Sequence, residues 1–125
     1  MIFDTDVMIH IERGHAAARK LFEAETERAV SAQTWMEWLQ GARDRKHLDF
    51  IRDFAGQMGL RILPLTDRVS ERAIFLVEEH ALGDGLKPGD ALIAATALEH
   101  ALTLATGNVK HFKHVRNLKL VGLKA

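Results

Sequence analysis

The sequence predicts an α/β domain in which a central, mostly parallel sheet is flanked by helices. Three observations carry this expectation. Short strand-like segments at residues 2–3, 29–30, 60–65, 102–105 and 118–121 are separated by longer stretches of helical periodicity. Strands that alternate with helices in this way pair in parallel and are covered on both faces. The helix expected over residues 89–101 is apolar on nearly every side, as a buried helix is. The first strand, finally, ends abruptly in Asp4, Thr5 and Asp6. In open α/β sheets the first strand usually runs through the middle, and ligands bind beyond the strands' carboxyl ends.

Each element has its own local reason. After the first strand, Asp6 can cap a short helix that runs to about residue 13, where Gly14 supplies the stop. A second helix is expected over residues 16–27, with Ala18, Leu21, Phe22 and Glu25 on successive turns. Ser31 follows a brief strand and is placed to cap the helix of residues 34–42. Leu48, Ile51, Phe54, Ala55 and Met58 then recur at helical spacing, and Gly59 ends that helix. Pro64 interrupts the strand of residues 60–65, and Thr66 or Asp67 caps a helix with an apolar face of Val69, Ala73, Leu76 and Val77. Gly83, Asp84, Gly85 and Pro88 mark a turn-rich loop. Residues 107–114 read as a loop or a short helical turn before the last strand.

The bulk properties narrow the class. A chain of 125 residues makes one domain with room for a hydrophobic core. Lys plus Arg and Asp plus Glu number 17 each, so no overall field draws the chain to nucleic acid or membrane. Cysteine is absent, which excludes disulfides and thiolate-bound zinc and suits a reducing interior. No apolar run approaches the roughly 20 residues of a membrane span, and no signal peptide precedes Asp4. A cytoplasmic location is expected.

Several residues carry chemistry, and each has a plainer reading beside it. Asp6, directly before a helical run, reads first as an N-cap. Asp4 follows the strand rather than touching the helix start, and is either a turn residue or a ligand. Glu37 points away from the apolar stripe of Trp35, Trp38, Leu39 and Ala42, which alone suggests a solvated outer face. Asp90 opens the most apolar helix of the chain and shares a face with Ala94, Ala97 and Ala101. The helix dipole favours an acid there, yet a carboxylate against so apolar an element needs a partner. Thr106, Asn108 and His111 add polar atoms after a strand. Beyond Glu99 no acidic residue occurs, while Lys110, Lys113, Arg116, Lys119 and Lys124 do. That basic edge is either simply solvated or holds a phosphate backbone. The seven histidines show no metal-ligand spacing, which argues against zinc.

Four segments in this order, MIFDTDVMI, TWMEWLQGA, PGDALIAATAL and ATGNVKHF, resemble the successive motifs of PIN-domain ribonucleases, specifically the VapC toxins. The resemblance covers essentially the whole chain. It implies a three-layer PIN-like fold over residues 1–125 and a metal-dependent endoribonuclease, the toxin of a type II toxin–antitoxin pair. Carried over motif by motif, Asp4, Glu37 and Asp90 become ligands of Mg²⁺, with Mn²⁺ as a substitute, and the plainer readings of Glu37 and Asp90 give way. Asp6, Thr106 and Asn108 become supporting groups, and Lys110, Lys113 and Arg116 an RNA-binding edge. Many relatives carry Asn at the position of Asp6. Many also carry a fourth acid in the last motif, where this chain has Asn108 and His111, which leaves a second metal position open. The implied substrate is a structured RNA such as tRNA or rRNA. The implied partners are a small DNA-binding antitoxin and a second copy of the chain.

Two alternatives belong to other classes. A haloacid-dehalogenase-like phosphatase also begins with a strand and two aspartates one residue apart, and LKPGD faintly echoes its later motifs. The chain is short for that fold with a cap, however, and residues 92–95 offer no second acid after Asp90. The other alternative is a PIN fold retained only as a binding module, against which three intact acids argue.

Overall fold

The computed structural model describes residues 1–124. In chain order the elements are β1 (Ile2–Phe3), α1 (Thr5–Glu12), α2 (Ala16–Glu23), β2 (Ala29–Ser31), α3 (Ala32–Gln40), α4 (Arg45–Gln57), β3 (Arg61–Leu63), α5 (Asp67–His80), α6 (Pro88–Glu99), β4 (Leu104–Thr106), α7 (Val109–Phe112) and β5 (Leu120–Gly122). The strands form one sheet in the order β3-β2-β1-β4-β5, and every neighbouring pair is parallel. The first strand is therefore central, as expected, and the sheet is wholly rather than mostly parallel.

The period-two alternation of the strands divides the interior into two cores. Ile2, Ala29, Leu63 and Leu104 pack on one face against Val69, Ala73 and Leu76 of α5 and Ala91, Ile93, Ala94, Ala95 and Ala97 of α6. Phe3, Val30 and Ala105 face the other way, against Val7, Met8, Ile11, Ala18, Phe22, Trp38 and Ile51 of α1 to α4. Helix, sheet and helix make three layers. The small side chains of α6 bring its backbone close to the sheet, and that closeness carries Asp90 to the sheet's carboxyl edge. Among the described residues no helix is long and apolar enough to cross a membrane.

Several boundaries differ from the sequence reading for identifiable reasons. Helix α1 is capped by Asp4, whose Oδ1 accepts the Thr5 N–H at 2.7 Å. Asp4 thus touches the helix start after all, and Asp6 is not the cap. Helix α2 stops at Glu23, short of residue 27. The Glu25 N–H turns back to the Phe22 carbonyl at 3.2 Å, tightening the last turn, and the Arg28 guanidinium caps this end by taking the Phe22 and Glu25 carbonyls, each at 3.0 Å. Strand β4 begins two residues late and ends at Thr106. Leu102 is still engaged in closing α6, its N–H bonded to the Ala97 carbonyl at 2.9 Å behind Ala101 at φ +52°. The extension to Thr106 has consequences for the site. Strand β3 is cut to three residues from both ends: Pro64 stops it, and the Leu60 N–H closes α4 on the Ala55 carbonyl at 3.0 Å. The caps read for α3 and α5 are present: Ser31 accepts from Thr34 N–H at 2.9 Å and Thr66 from Val69 N–H at 3.2 Å.

Candidate active site

The site begins with a buried carboxylate. Pairing of β1 with β4 bonds the Asp4 N–H to the Ala105 carbonyl at 2.9 Å, which sets Asp4 beside the end of β4. Its side chain, 5% exposed, is held on both oxygens: Oδ1 by the Thr5 N–H, and Oδ2 by the Thr106 hydroxyl at 2.7 Å. Thr106 is itself fully buried and accepts the Asn108 N–H at 2.9 Å. Burial raises the Asp4 carboxyl to about 6 from an ordinary 3.8; the hydrogen bonds from Thr106 and Thr5 oppose the rise, and the charges of Asp6 and Asp90 add to it.

Glu37 reaches the same edge from α3, so its outward-facing position looks onto other elements of the chain and is half-buried. The Thr5 hydroxyl donates to its Oε1 and also lies 3.2 Å from the Thr34 hydroxyl. The Gln33 amide donates to its Oε2 at 3.0 Å. Gly89, in the first turn of α6, packs directly on this pair: a β-carbon there would sit 3.2 Å from Glu37 Oε2 and 3.3 Å from Gln33 Nε2. Glycine is what lets α6 approach Glu37 so closely.

Asp90 follows Gly89 in that turn. Lys87 is the N-cap residue but makes no side-chain cap, and Pro88 starts the helix. Asp90 is therefore a first-turn acid rather than a cap. Burial raises its carboxyl; His111 opposes the rise and the Glu37 charge adds to it. His111 Nδ1 lies 3.2 Å from Asp90 Oδ2. Asp84, Gly85, Leu86, Lys87, Asp90, Lys110 and His111 line a cavity of about 150 Å³. Lys110 thus borders the same cavity as Asp90, whereas Lys113 and Arg116 are exposed and do not line it.

Asp6 lies beside Asp4 with its Oδ2 bonded to the Gly107 N–H at 3.0 Å and to the Asn108 amide at 3.1 Å. Its Oδ1 is buried without a hydrogen-bond partner. Hydrogen bonds thus link Asp6, Asn108, Thr106, Asp4, Thr5 and Glu37 in one chain, and Asp90 follows Gly89, which packs on Glu37. Thr5 and Gln33 on Glu37, Gly89 beside it and Lys87 in the cavity were not singled out from sequence. The glycines at 89 and 107, each beside polar residues, are the sequence feature that could have pointed to close backbone approach there.

The donor set suits a hard divalent cation: carboxylate and hydroxyl oxygens dominate it, one carboxylate oxygen is orphaned, and two carboxyls are raised partly by neighbouring negative charge. As the side chains stand, no three His, Cys, Asp or Glu among the described residues are grouped as metal ligands. Glu37 and Asp90 are engaged instead by Thr5, Gln33 and His111, partners with which a cation would compete.

Comparison with known proteins gives a consistent picture. The profile of the PIN domain matches residues 1–118. Ribonuclease VapC10 of Mycobacterium tuberculosis is 33% identical over 123 residues, spanning 95% of this chain and 90% of that protein. A toxin–antitoxin complex from Klebsiella pneumoniae contains a chain of 32% identity and TM-score 0.78, with 96% of this chain and 94% of that chain covered. DNA-bound VapBC from Salmonella typhimurium matches at TM-score 0.83 and 22% identity over 97% of this chain and 96% of that one, a likeness of fold.

The raised Asp4 carboxyl makes a thermodynamic prediction. Because the folded state holds this proton more tightly than the unfolded state, Asp4 costs nothing below about pH 4. Its cost grows as pH rises through about 6, reaching about 3 kcal/mol for a shift of this size. In EDTA, Asp4→Asn should therefore melt above wild type at pH 7, with the gap closing by pH 4. Asn also caps helices well, so the cap is kept. Equal melting curves at both pH values would show that Asp4 is not strained.

Proposed function

The chain belongs to the PIN domain family, and from this we propose that it acts as a metal-dependent endoribonuclease, the toxin of a type II toxin–antitoxin pair. The observation that supports the reading is a contact chain at the carboxyl edge of the sheet: Thr5 joins Asp4, after β1, to Glu37 of α3, and Glu37 packs on Gly89, the residue before Asp90 in α6. A ribonuclease relative at 33% identity and a toxin–antitoxin relative at 32% support the activity and its setting. Neither the phosphatase nor the bare binding module is favoured by these relatives.

Asp4, Glu37 and Asp90 would hold Mg²⁺, with Mn²⁺ able to replace it, and Asp6, Thr106 and Asn108 would support them. When bound, the cation supplies an acidified water and neutralises charge on the phosphorus oxygens. The protein's own groups orient this chemistry. Thr5 fixes two ligands at once, its N–H on Asp4 and its hydroxyl on Glu37. Thr106 keeps Asp4 from turning away. Lys87 and Lys110 border the cavity beside Asp90 and meet the RNA phosphates, and Lys113 and Arg116 extend the basic edge along the tail. No side-chain nucleophile is required.

The substrate is a structured RNA of the tRNA or rRNA kind, cut in a single-stranded loop. A small antitoxin with a DNA-binding end restrains the enzyme, the chain pairs with a second copy, and the system works in the cytoplasm. Solved relatives of toxin–antitoxin type, some with DNA, support the partner.

Asp90→Asn should reduce Mg²⁺-dependent cleavage of RNA by about 10³-fold, the scale of a lost electrostatic group, with an unchanged circular dichroism spectrum. Retention of full activity would remove Asp90 from the site. Replacing Lys110 and Lys113 with alanine should flatten the salt dependence of RNA binding by about 1.4 in logarithmic slope, as expected for two contacts to a single strand. An unchanged slope would leave the tail a solvated edge.

A further inference from the structure

An aspartate in the first turn of a helix needs no explanation beyond the dipole, but the surroundings of Asp6 go further. The loop after β4 is folded onto one of its oxygens: the Gly107 N–H and the Asn108 amide both donate to Oδ2. A β-carbon at residue 107 would overlap that oxygen, so the backbone comes nearer than any side chain but glycine's allows. The other oxygen, Oδ1, is buried and has no partner. A carboxylate oxygen withdrawn from water and left unbonded is costly. Asn108 also ties Asp6 to Asp4, through its amide on the one side and through its N–H to the Thr106 hydroxyl on the other. Fixing one oxygen with two donors while leaving the other free is how supporting groups aim a metal ligand.

We infer that Asp6 is a direct ligand of the divalent cation through Oδ1, and that Asn108 and Gly107 hold it in place without binding the cation themselves. This rests on the metal-dependent reading above and adds a fourth carboxylate to it. The basic tail and the Asp90 cavity play no part in the assignment.

Mn²⁺ binding to the whole, EDTA-stripped chain, followed by isothermal titration calorimetry without RNA, tests it. Asp6→Asn should weaken Mn²⁺ binding by about tenfold or more while the protein stays folded by circular dichroism, and Asn108→Ala should weaken it less. Wild-type affinity in Asp6→Asn would overturn the assignment and leave the three-carboxylate site standing. An Asn108→Ala effect larger than that of Asp6→Asn would make Asn108 the ligand and also overturn it. If the wild-type chain itself bound no Mn²⁺, the metal-dependent reading would fall, and this inference with it.

Discussion

The structure depends on one awkward group: a carboxylate buried at the end of the central strand. Asp4 is placed there by main-chain pairing of β1 with β4, and nothing in the sheet can move it away from the low-dielectric interior. Two donors, the Thr5 N–H and the Thr106 hydroxyl, stabilise its ionised form, yet burial and neighbouring negative charge outweigh them. A protein that only needed a helix cap could use Ser or Thr, which cap without a charge. Keeping an aspartate in this position makes sense where a cation offsets its cost.

The rest of the edge is arranged around that constraint. Glu37 and Asp90 come from helices on different faces of the sheet, and glycine is the device that closes the gaps. Gly89 lets α6 lie on Glu37, and Gly107 lets the loop after β4 lie on Asp6. Both α3 and α6 are held in register by small or capped positions: Ser31 at the start of α3, and the alanines by which α6 packs on the sheet. Precision at the site is thus inherited from backbone packing more than from side-chain rigidity. His111 and Lys110 come from α7, a single turn; Lys110 brings positive charge to the cavity beside Asp90, and the His111 imidazole lies against the Asp90 carboxyl.

Much of this was legible in the sequence because it rests on local pattern. The strand–helix alternation gave the parallel sheet, the apolar α6 gave a buried helix, and the motifs, placed in order, brought out Asp4, Glu37 and Asp90 as one candidate set. What was not legible depends on contacts distant in sequence. Asp4 and Asp6 compete for the same cap, and only the pairing of β4, some hundred residues on, decides which of them turns inward. Glu37 has the pattern of a solvated residue, since periodicity cannot say that the outer face of α3 meets Thr5 and Gly89. The late start of β4 followed from the Ala101 and Leu102 closure of α6, a left-handed residue that alanine seldom supplies. Lys87 escaped notice because an uncapped helix start carries no polar signature.

The most direct test of this account is a carbon-detected NMR titration of the Asp4 side-chain carboxyl, first in EDTA and then with Mg²⁺. The account predicts a midpoint near 6 in the metal-free protein, moving well below the ordinary carboxylate range when Mg²⁺ is added. A midpoint near 4 that Mg²⁺ leaves unmoved would contradict it, because Asp4 would then be an unstrained helix cap and no cation would be needed to offset its charge.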